Sequence, residues 1–594
     1  MKNTEKQKME NWETTTSYSR FQSGYNYNER IGYYSETDEN ERMYIGDQWY
    51  GVDTGGIPEI VCNVEKRIGE YKISAISSNR IKAVYGIEGI AQFPYGTPLA
   101  DLTEEEAAAY EINRIASIMS GNAEIMWERL GMDSLVRRCL RDGFVTGDWC
   151  AYTYWDSEIE TGTQFKGNFV TERVNGGNVF FGNPNEANAQ KQPWIILLIR
   201  DTVDNFKKLA EREGVKKEDI ERIVGDNSTD TQLGEYGQIE IEGDESTQKC
   251  NGFIMFYRDS NGICRWNMST QYVNIISDRD NKTGKRYPVD WANWDERENC
   301  YHGVAECTQI HPNQRYINKM FALCMVWFMY NSFGRVAIDV TRISSWSNNI
   351  AEAIAIEGPV TNAIQQLSSG DFNTAILTLI QYVINYTKEC QGVTDAALGV
   401  ERADNTSALV IAQKASALPL ENQQARLYKW IEDVFLTWAA YMNGYYLEGR
   451  QIPYKDNDGV IKYETFTKKD AERLAFNVRI EVGSSSYWSE ITNIEQIDQW
   501  LKDQRITFIQ ALEMMPNGYI NNKQKLIDEL KAMADQMQSE TDKTNDEEKQ
   551  KQFEMQAAFF DTLPAETQQY LQSLPDDQME AELMQMMQGQ TQMS

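Results

Sequence analysis

Apolar side chains recur at helical spacing at Ile60, Val64, Ile68 and Tyr71, behind a proline, Pro58, suited to a first helical turn. This spacing predicts a helix over 58–85. Thr103 and Glu106 stand in capping-box relation ahead of a further helix, which makes Glu104 to Glu106 capping residues rather than catalytic carboxylates. A second amphipathic segment runs from Ala123 to Arg141 and stops near Gly143 and Gly147. The period then shortens. Aromatic and β-branched runs predict strands at Trp149–Trp155, Asn168–Val174, Asn178–Phe181 and Trp194–Ile199, parted by turn residues such as Gly176-Gly177 and Asn183-Pro184-Asn185.

From Thr202 to Val224 a charged helical pattern is interrupted at Gly214, and Asp226 to Lys249 turns polar and acidic without periodicity, the pattern of an exposed loop. The runs GFIMFYR, ICRW and YVNII, followed by a surface turn from Asp278 to Lys285, predict a compact protruding β module. Beyond it the pattern is helical at Asn313–Ser332, Ile376–Glu389 and Ser407–Tyr446. The fold class expected is therefore α+β and helix-dominated. The polar, Tyr-rich first 40 residues read as a flexible arm. The tail from Ser539 to Ser594, rich in Gln, Met and acids and broken at Leu563-Pro564 and Leu574-Pro575, reads as a segment that folds against neighbouring subunits.

Size and charge narrow the possibilities. A chain of 594 residues is too long for one ordinary core, and 41% hydrophobic residues with 15 Trp, 31 Tyr and 21 Phe suffice to fold most of it. Lys plus Arg number 58 against 89 Asp plus Glu, a net charge of -31, which opposes broad phosphate neutralisation on nucleic acid. The predicted first helix nonetheless carries Lys66, Arg67, Lys72, Arg80 and Lys82. A solvated or ion-paired face is the ordinary reading of such a cluster, and a nucleic-acid or subunit contact the alternative. Nine scattered cysteines without a C-x-x-C pair, and a start with no apolar signal-like region, fit a reducing assembly site. The longest apolar run, Met320–Tyr330, falls short of the roughly 20 residues of a membrane-spanning helix, so no membrane partner is expected.

Catalytic motifs are sparse. The nearest approach to a phosphate-cradling loop, Arg279–Arg286, has Arg where the first Gly and the last Ser or Thr belong. With only two histidines, His302 and His311, there is no H-E-x-x-H and no G-x-S-x-G elbow to build a hydrolase upon. Cys300, His302, Cys307 and His311 offer soft ligands within a short stretch, but their C-x-H-x4-C-x3-H spacing is not that of a zinc finger, and burial of the thiol is the simpler account. No enzyme, metal or cofactor is expected. A carboxylate-only nuclease site is possible on paper, although a solvated acidic surface accounts for the same residues.

Segments in order along the chain resemble the portal proteins of tailed bacteriophages. They are IGDQWYG and PEIVCNVEKRIGEYK near the start; NVFFGNPNEANAQKQPWIILLIRDTVDNFKKLAEREGV over 178–215; YHGVAECTQIHPNQRYIN over 301–318; QGVTDAALGVERADNTSALVIAQ over 391–413; and VRIEVGSSSYWSEITNIEQIDQWLKDQRIT over 478–507. The resemblance spans roughly residues 40 to 530, and the acidic tail after Ser539 has no counterpart in it.

The resemblance implies a ring-forming subunit of wing, stem, clip, tunnel loop and crown, usually twelve copies around an axial channel. It divides the chain into an arm (1–40), a wing (41–201), a first stem helix (202–224), a β-rich clip (225–298), a second stem helix (299–333), a tunnel-loop region (334–375), wing or spine helices (376–480), crown-proximal helices (481–538) and a crown or tail (539–594). It implies passage of double-stranded DNA and, as partners, the terminase large subunit, the major capsid and scaffolding proteins and a head–tail adaptor, in the virion and in host cytoplasm during assembly. By position, Ser368, Ser369, Gly370 and Asp371 would line the constriction, with a plain surface loop as the other reading. Lys282, Lys285 and Arg286 would sit on the clip and meet the packaging ATPase and the tail adaptor in turn, an exposed basic turn pairing with an acidic partner. Another head–tail connector or adaptor, or the nuclease, is the alternative function.

Overall fold

The computed structural model describes residues 2–78, 81–86, 104–161, 165–226, 247–332, 335–343, 356–359, 363–367, 373–393, 418–446, 449–455, 461–466, 477–482, 496–503 and 505–514, and short stretches between 526 and 585. The chain divides into two units, Met1–Gly483 and Ser484–Ser594.

Alternation decides the sheets of the first unit. In the strand Trp194–Thr202, Ile195 and Leu197 point to one face and Ile196 and Leu198 to the other, and all four are buried. A strand apolar on both sides must be covered on both sides. One cover is the helix α1, Lys2–Arg30, whose Phe21 packs on Phe180 and Phe253. The other includes the helix Val203–Arg212, whose Phe206 and Ala210 are buried among Leu197, Ile254 and Phe256. Burying a side chain such as Phe206 contributes about 2–3 kcal/mol.

In chain order the elements are α1; α2, Tyr33–Ile45; α3, Val64–Ile76; β1, Ile81–Gly86; α4, Glu104–Arg129; α5, Met132–Thr146; β2, Asp148–Glu160; β3, Lys166–Val174; β4, Val179–Phe181; and β5, Trp194–Thr202. They continue with α6, Val203–Arg212; α7, Lys217–Ile220; β6, Lys249–Arg258; β7, Cys264–Thr270; β8, Asn274–Asp280; β9, Val289–Asn293; α8, Glu306–Ser332; β10, Arg335–Ile338; β11, Ile364–Leu367; α9, Ala375–Cys390; α10, Glu421–Tyr445; β12, Arg450–Lys455; β13, Ile461–Phe466; and β14, Asn477–Val482. In the second unit, residues 496–502 are helical and α11 spans Phe508–Met514.

A five-stranded antiparallel sheet has the order β4-β5-β6-β7-β8, with Ile196 opposite Met255 and Met255 opposite Asn267. A second sheet, β3-β2-β9, sets Cys150 opposite both Val174 and Trp291. Among the described residues β3 pairs only with β2. Its Gly167 and Phe169 carbonyls instead accept from the guanidinium groups of Arg450 and Arg129, so this edge is not left open. Helices α3, α4, α5 and α10 pack around a core of Trp149, Trp294, Trp430 and Trp438.

Several expectations change. The first 40 residues form α1 and most of α2 rather than a loose arm, because Phe21, Tyr33 and Thr37 have buried seats. The helix predicted over 58–85 is shorter, and residues 81–86 are a strand paired with β14. The segment 123–141 is two helices, parted at Gly131 in the left-handed region (φ 61°), where a side chain would be strained. The β runs after residue 249 form no protruding module: β6, β7 and β8 extend the sheet begun by β4 and β5, and β9 joins β2. The stretch 202–224 is not one long stem helix either. α6 ends at Arg212, Gly214 takes φ 76°, and only the short α7 follows. The strands predicted at 149–155, 168–174, 178–181 and 194–199 are all present, although β2 runs on to Glu160 and β4 begins one residue later, at Val179.

Candidate functional site

Helix α8 has two contrasting halves. In the first, polar side chains are buried under α3. Gln314 Oε1 accepts from the backbone N–H groups of Val64 and Glu65 (3.0 and 3.2 Å), while its amide donates to Cys62 O at 2.7 Å and Asn318 Oδ1 at 3.0 Å. Asn318 accepts from Cys62 N at 3.0 Å and donates to Gln48 Oε1 at 2.5 Å. Lys72 of α3 pairs with Glu306, which also accepts from Trp294 Nε1 at 2.9 Å, and Lys72 donates to Gln391, just past α9, at 3.2 Å. The root of α8 is thus fixed by hydrogen bonds in a dry setting, where each is expensive to lose.

The second half is the opposite. From Met320 to Ser332 no residue is charged, yet Leu323, Met325, Phe328, Met329 and Tyr330 are exposed, Met329 by 56% and Tyr330 by 59%. Helix α9 packs against α8 and buries Ile380, with Val383 and Ile384 against the core. Its outward stripe, Leu379, Tyr382 and Tyr386, follows i, i+3, i+7 spacing, and Tyr382 is 69% exposed. Charge enters α9 only at Lys388 and Glu389. A helix pair with large apolar and aromatic side chains facing outward has the character of an interaction surface.

Between the two helices lies an antiparallel ribbon, β10 with β11, in which Arg335 faces Leu367 and Ile338 faces Ile364. Asp339 N donates to Ala363 O at 3.0 Å, so the chain leaves the ribbon and returns to the same point. Ser368, Ser369, Gly370 and Asp371 lie outside the described residues, between the end of β11 and the start of α9.

The predicted basic turn does not act as one free patch. Arg286 is committed inward: its Nη2 pairs with Asp290 and Asp433 at 3.0 Å each, and its Nε donates to Thr437 at 2.8 Å. Lys282 takes φ 59° and sets its ammonium 4.6 Å from the Tyr445 ring centroid. Lys285 is exposed, with its carbonyl accepting from Arg258. The turn therefore docks the β8–β9 connection onto α10; of the three predicted cations Lys282 and Lys285 are exposed and Arg286 is half-buried.

The Cys/His group is divided as well. His302 Nδ1 lies 2.6 Å from Asp148 Oδ2, and its ring stacks on Tyr33 at 3.7 Å. Cys300 accepts from the Tyr27 hydroxyl at 3.3 Å. Cys307 is buried beside Glu65, and burial first, with that carboxylate second, pushes its thiol well above the ordinary range. Among the described residues no group of three or more His, Cys, Asp or Glu is placed to hold a metal ion.

The outward face of α9 had a sequence signal that periodicity alone did not expose, namely apolar side chains on several faces of a helix almost free of charge. Arg286 had none, since Asp433 and Thr437 are distant in sequence.

The ordered pair α8–α9 with its intervening ribbon lies wholly inside residues 260–594, the span matched by the model of the Phage P22-like portal protein family. The chain belongs to that family. No curated protein matches it. The matched span runs from the β6–β7 turn to the end of the chain, so α1 to β6 precede it. As a portal protein the chain is a structural subunit of an oligomeric ring at the capsid vertex of the virion. Among the described residues no helix is long and apolar enough to cross a membrane.

Proposed function

We propose that this chain is the portal subunit through which the genome is packaged and ejected, and that copies join in the ring, of twelve in this reading, through the outward faces of α8 and α9. The uncharged, aromatic-rich face of the two helices carries the proposal. A surface of this kind is costly in water and is relieved by a like surface on the next copy, and a ring closes by repeating one such heterologous contact. Helix α8 is the second stem helix in this reading, and the stretch 334–375 between α8 and α9 is the tunnel loop, with Ser368 to Asp371 lining the passage. Short polar side chains let phosphates slide where a basic lining would hold them.

The ring is a passive conduit for double-stranded DNA that docks the terminase large subunit and later the head–tail adaptor, and it joins major capsid and scaffolding proteins during assembly in the host cytoplasm. Lys282 and Lys285 are the clip-side contacts to these partners; Arg286 serves the fold.

The paired change Leu379→Asp with Tyr382→Asp puts two charges on the exposed stripe and removes no core residue. It is expected to convert rings to single subunits by mass photometry and negative-stain imaging, while circular dichroism retains the parent's helical content and melting. Rings that persist with the parent's copy number would sink the assignment of this face.

A further inference from the structure

A small cavity of about 420 Å³ opens where α1 meets the connection between β4 and β5. Its walls are largely apolar: Tyr27 of α1, Phe181 at the end of β4, Pro184 of the connection and Trp194 at the start of β5. A Cβ at Gly182 would come within 2.9 Å of the Trp194 indole, so the glycine lets the ring lie against the backbone and form that wall. Tyr27 stacks on Tyr301 with centroids 5.9 Å apart. Both hydroxyls are already committed, that of Tyr27 to Cys300 and that of Tyr301 to Asn28 and Val179.

The other polar groups around these walls are donors without acceptors. Arg30, the last residue of α1, is exposed and sets its guanidinium 5.5 Å from the Tyr27 ring centroid. Among the described residues it makes no ion pair and no hydrogen bond. The Ser23 hydroxyl, the Asn26 amide and the Trp194 indole N–H have no hydrogen-bond partner among the described residues either. No lining residue is acidic. Glu29 adjoins Arg30 in sequence, but successive residues of a helix do not face each other. A second cation, Arg20, lies over the Trp194 ring at 5.3 Å, and its one hydrogen-bond contact is the Met255 sulfur at 3.3 Å. In a chain of net charge -31, this corner carries two guanidinium groups that no carboxylate neutralises.

Apolar walls with a few converging polar groups are the form of a ligand pocket. A guanidinium held over an aromatic face keeps its fork of donors for a carboxylate, and the rings beside it accept a bulky side chain. A DNA duplex offers phosphates but keeps its bases stacked inside, leaving nothing for these walls. A peptide offers both parts. We infer that this pocket docks an acidic segment of a partner protein, whose bulky apolar side chain enters between Tyr27 and Trp194 while a neighbouring carboxylate meets Arg30. No lining residue belongs to α8, α9 or the turn from Lys282 to Arg286, so binding here is separable from ring assembly.

The test uses the full-length protein and a fluorescein-labelled peptide, Asp-Glu-Phe-Glu-Asp, followed by anisotropy. Binding should saturate, and should weaken between about 50 and about 200 mM salt because the charges are exposed. Replacing the phenylalanine of the peptide by alanine should lower affinity by at least about tenfold, since the aromatic walls then hold nothing. Arg30→Glu changes an exposed helix end and should keep the parent's circular dichroism. It should lose at least about tenfold in affinity for the acidic peptide and gain affinity for Lys-Arg-Phe-Arg-Lys, a reversal that mere loss of packing does not produce. No saturation up to about 1 mM peptide would overturn the inference, as would an unchanged preference in Arg30→Glu. An alanine peptide that binds as well as the parent peptide would reduce the pocket to a general basic patch and overturn it too. So would displacement of the peptide by an equimolar DNA duplex, which assigns the pocket to nucleic acid, or binding by dissociated subunits but not by rings, which makes it a contact between copies.

Discussion

Asp290 is fully buried, with Arg286 and the Thr437 hydroxyl on one oxygen and no partner on the other. Burial pushes its carboxyl up to about 6 in spite of Arg286, with Asp433 pushing the same way. The folded state therefore holds this proton more tightly than the unfolded chain does. The resulting stabilisation is complete below the ordinary carboxyl value of 3.8 and is lost as pH rises through about 6. Its full size is about 3 kcal/mol. Asp290→Asn keeps an acceptor for Arg286 and cannot ionise, so urea midpoints of parent and variant should diverge between about pH 4 and about pH 7, the parent losing relative stability as pH rises. Midpoints that track each other across that range would refute this account. Asp142, buried and held by Arg173 at 2.7 and 2.9 Å, is pushed up to about 7 by burial in the same way and adds a second decline that this variant leaves in place. Neither aspartate was distinguishable in sequence from the many acids of this chain. What sets them apart is burial, a property of the packed fold rather than of composition.

At the scale of elements, strands were more legible than helix limits. The run WIILLIRDT could be read as a strand because its branched, apolar character persists whichever neighbour it pairs with. The start of α3 could not be read. Its Asn63 cap is local, accepting from Lys66 N at 2.9 Å, but the amides of Val64 and Glu65 are satisfied by Gln314, from a helix far along the chain. Pro58 therefore gave a false start. The β runs of 249–293 looked like a module because sequence shows strands but not their partners. Pairing of β5 with β6 and of β2 with β9 folds them into the body. Gln314→Ala should leave the two α3 amides and Cys62 O without side-chain partners in a buried place, lowering stability by about 1–3 kcal/mol. Chemical denaturation would measure this, and a loss below a few tenths of a kcal/mol would show that water substitutes for the side chain.

At the scale of the molecule, charge was the most legible property, and it bears directly on the proposed passage of DNA. A net charge of -31 leaves no surplus of cations. Many of the arginines present are paired, such as Arg173 with Asp142, Arg200 with Asp226 at 2.5 Å and Arg265 with Asp278 at 2.6 Å. Counter-ion release, the main source of affinity in non-specific DNA binding, needs lysines and arginines free to meet phosphates. A conduit that repels its cargo slightly holds it away from the walls within a Debye length of about 8 Å at physiological salt, so movement costs little at any point along the passage. Purified rings mixed with a short fluorescent duplex should therefore bind it with Kd weaker than about 10⁻⁴ M at physiological salt. Anisotropy should change little between about 50 and 200 mM salt, whereas a surface gripping six to ten phosphates would lose about 10³–10⁵ in affinity over that interval. Tight binding with that steep salt dependence would mean that a concentrated basic lining outweighs the acidic whole, and the proposed passive conduit would be refuted.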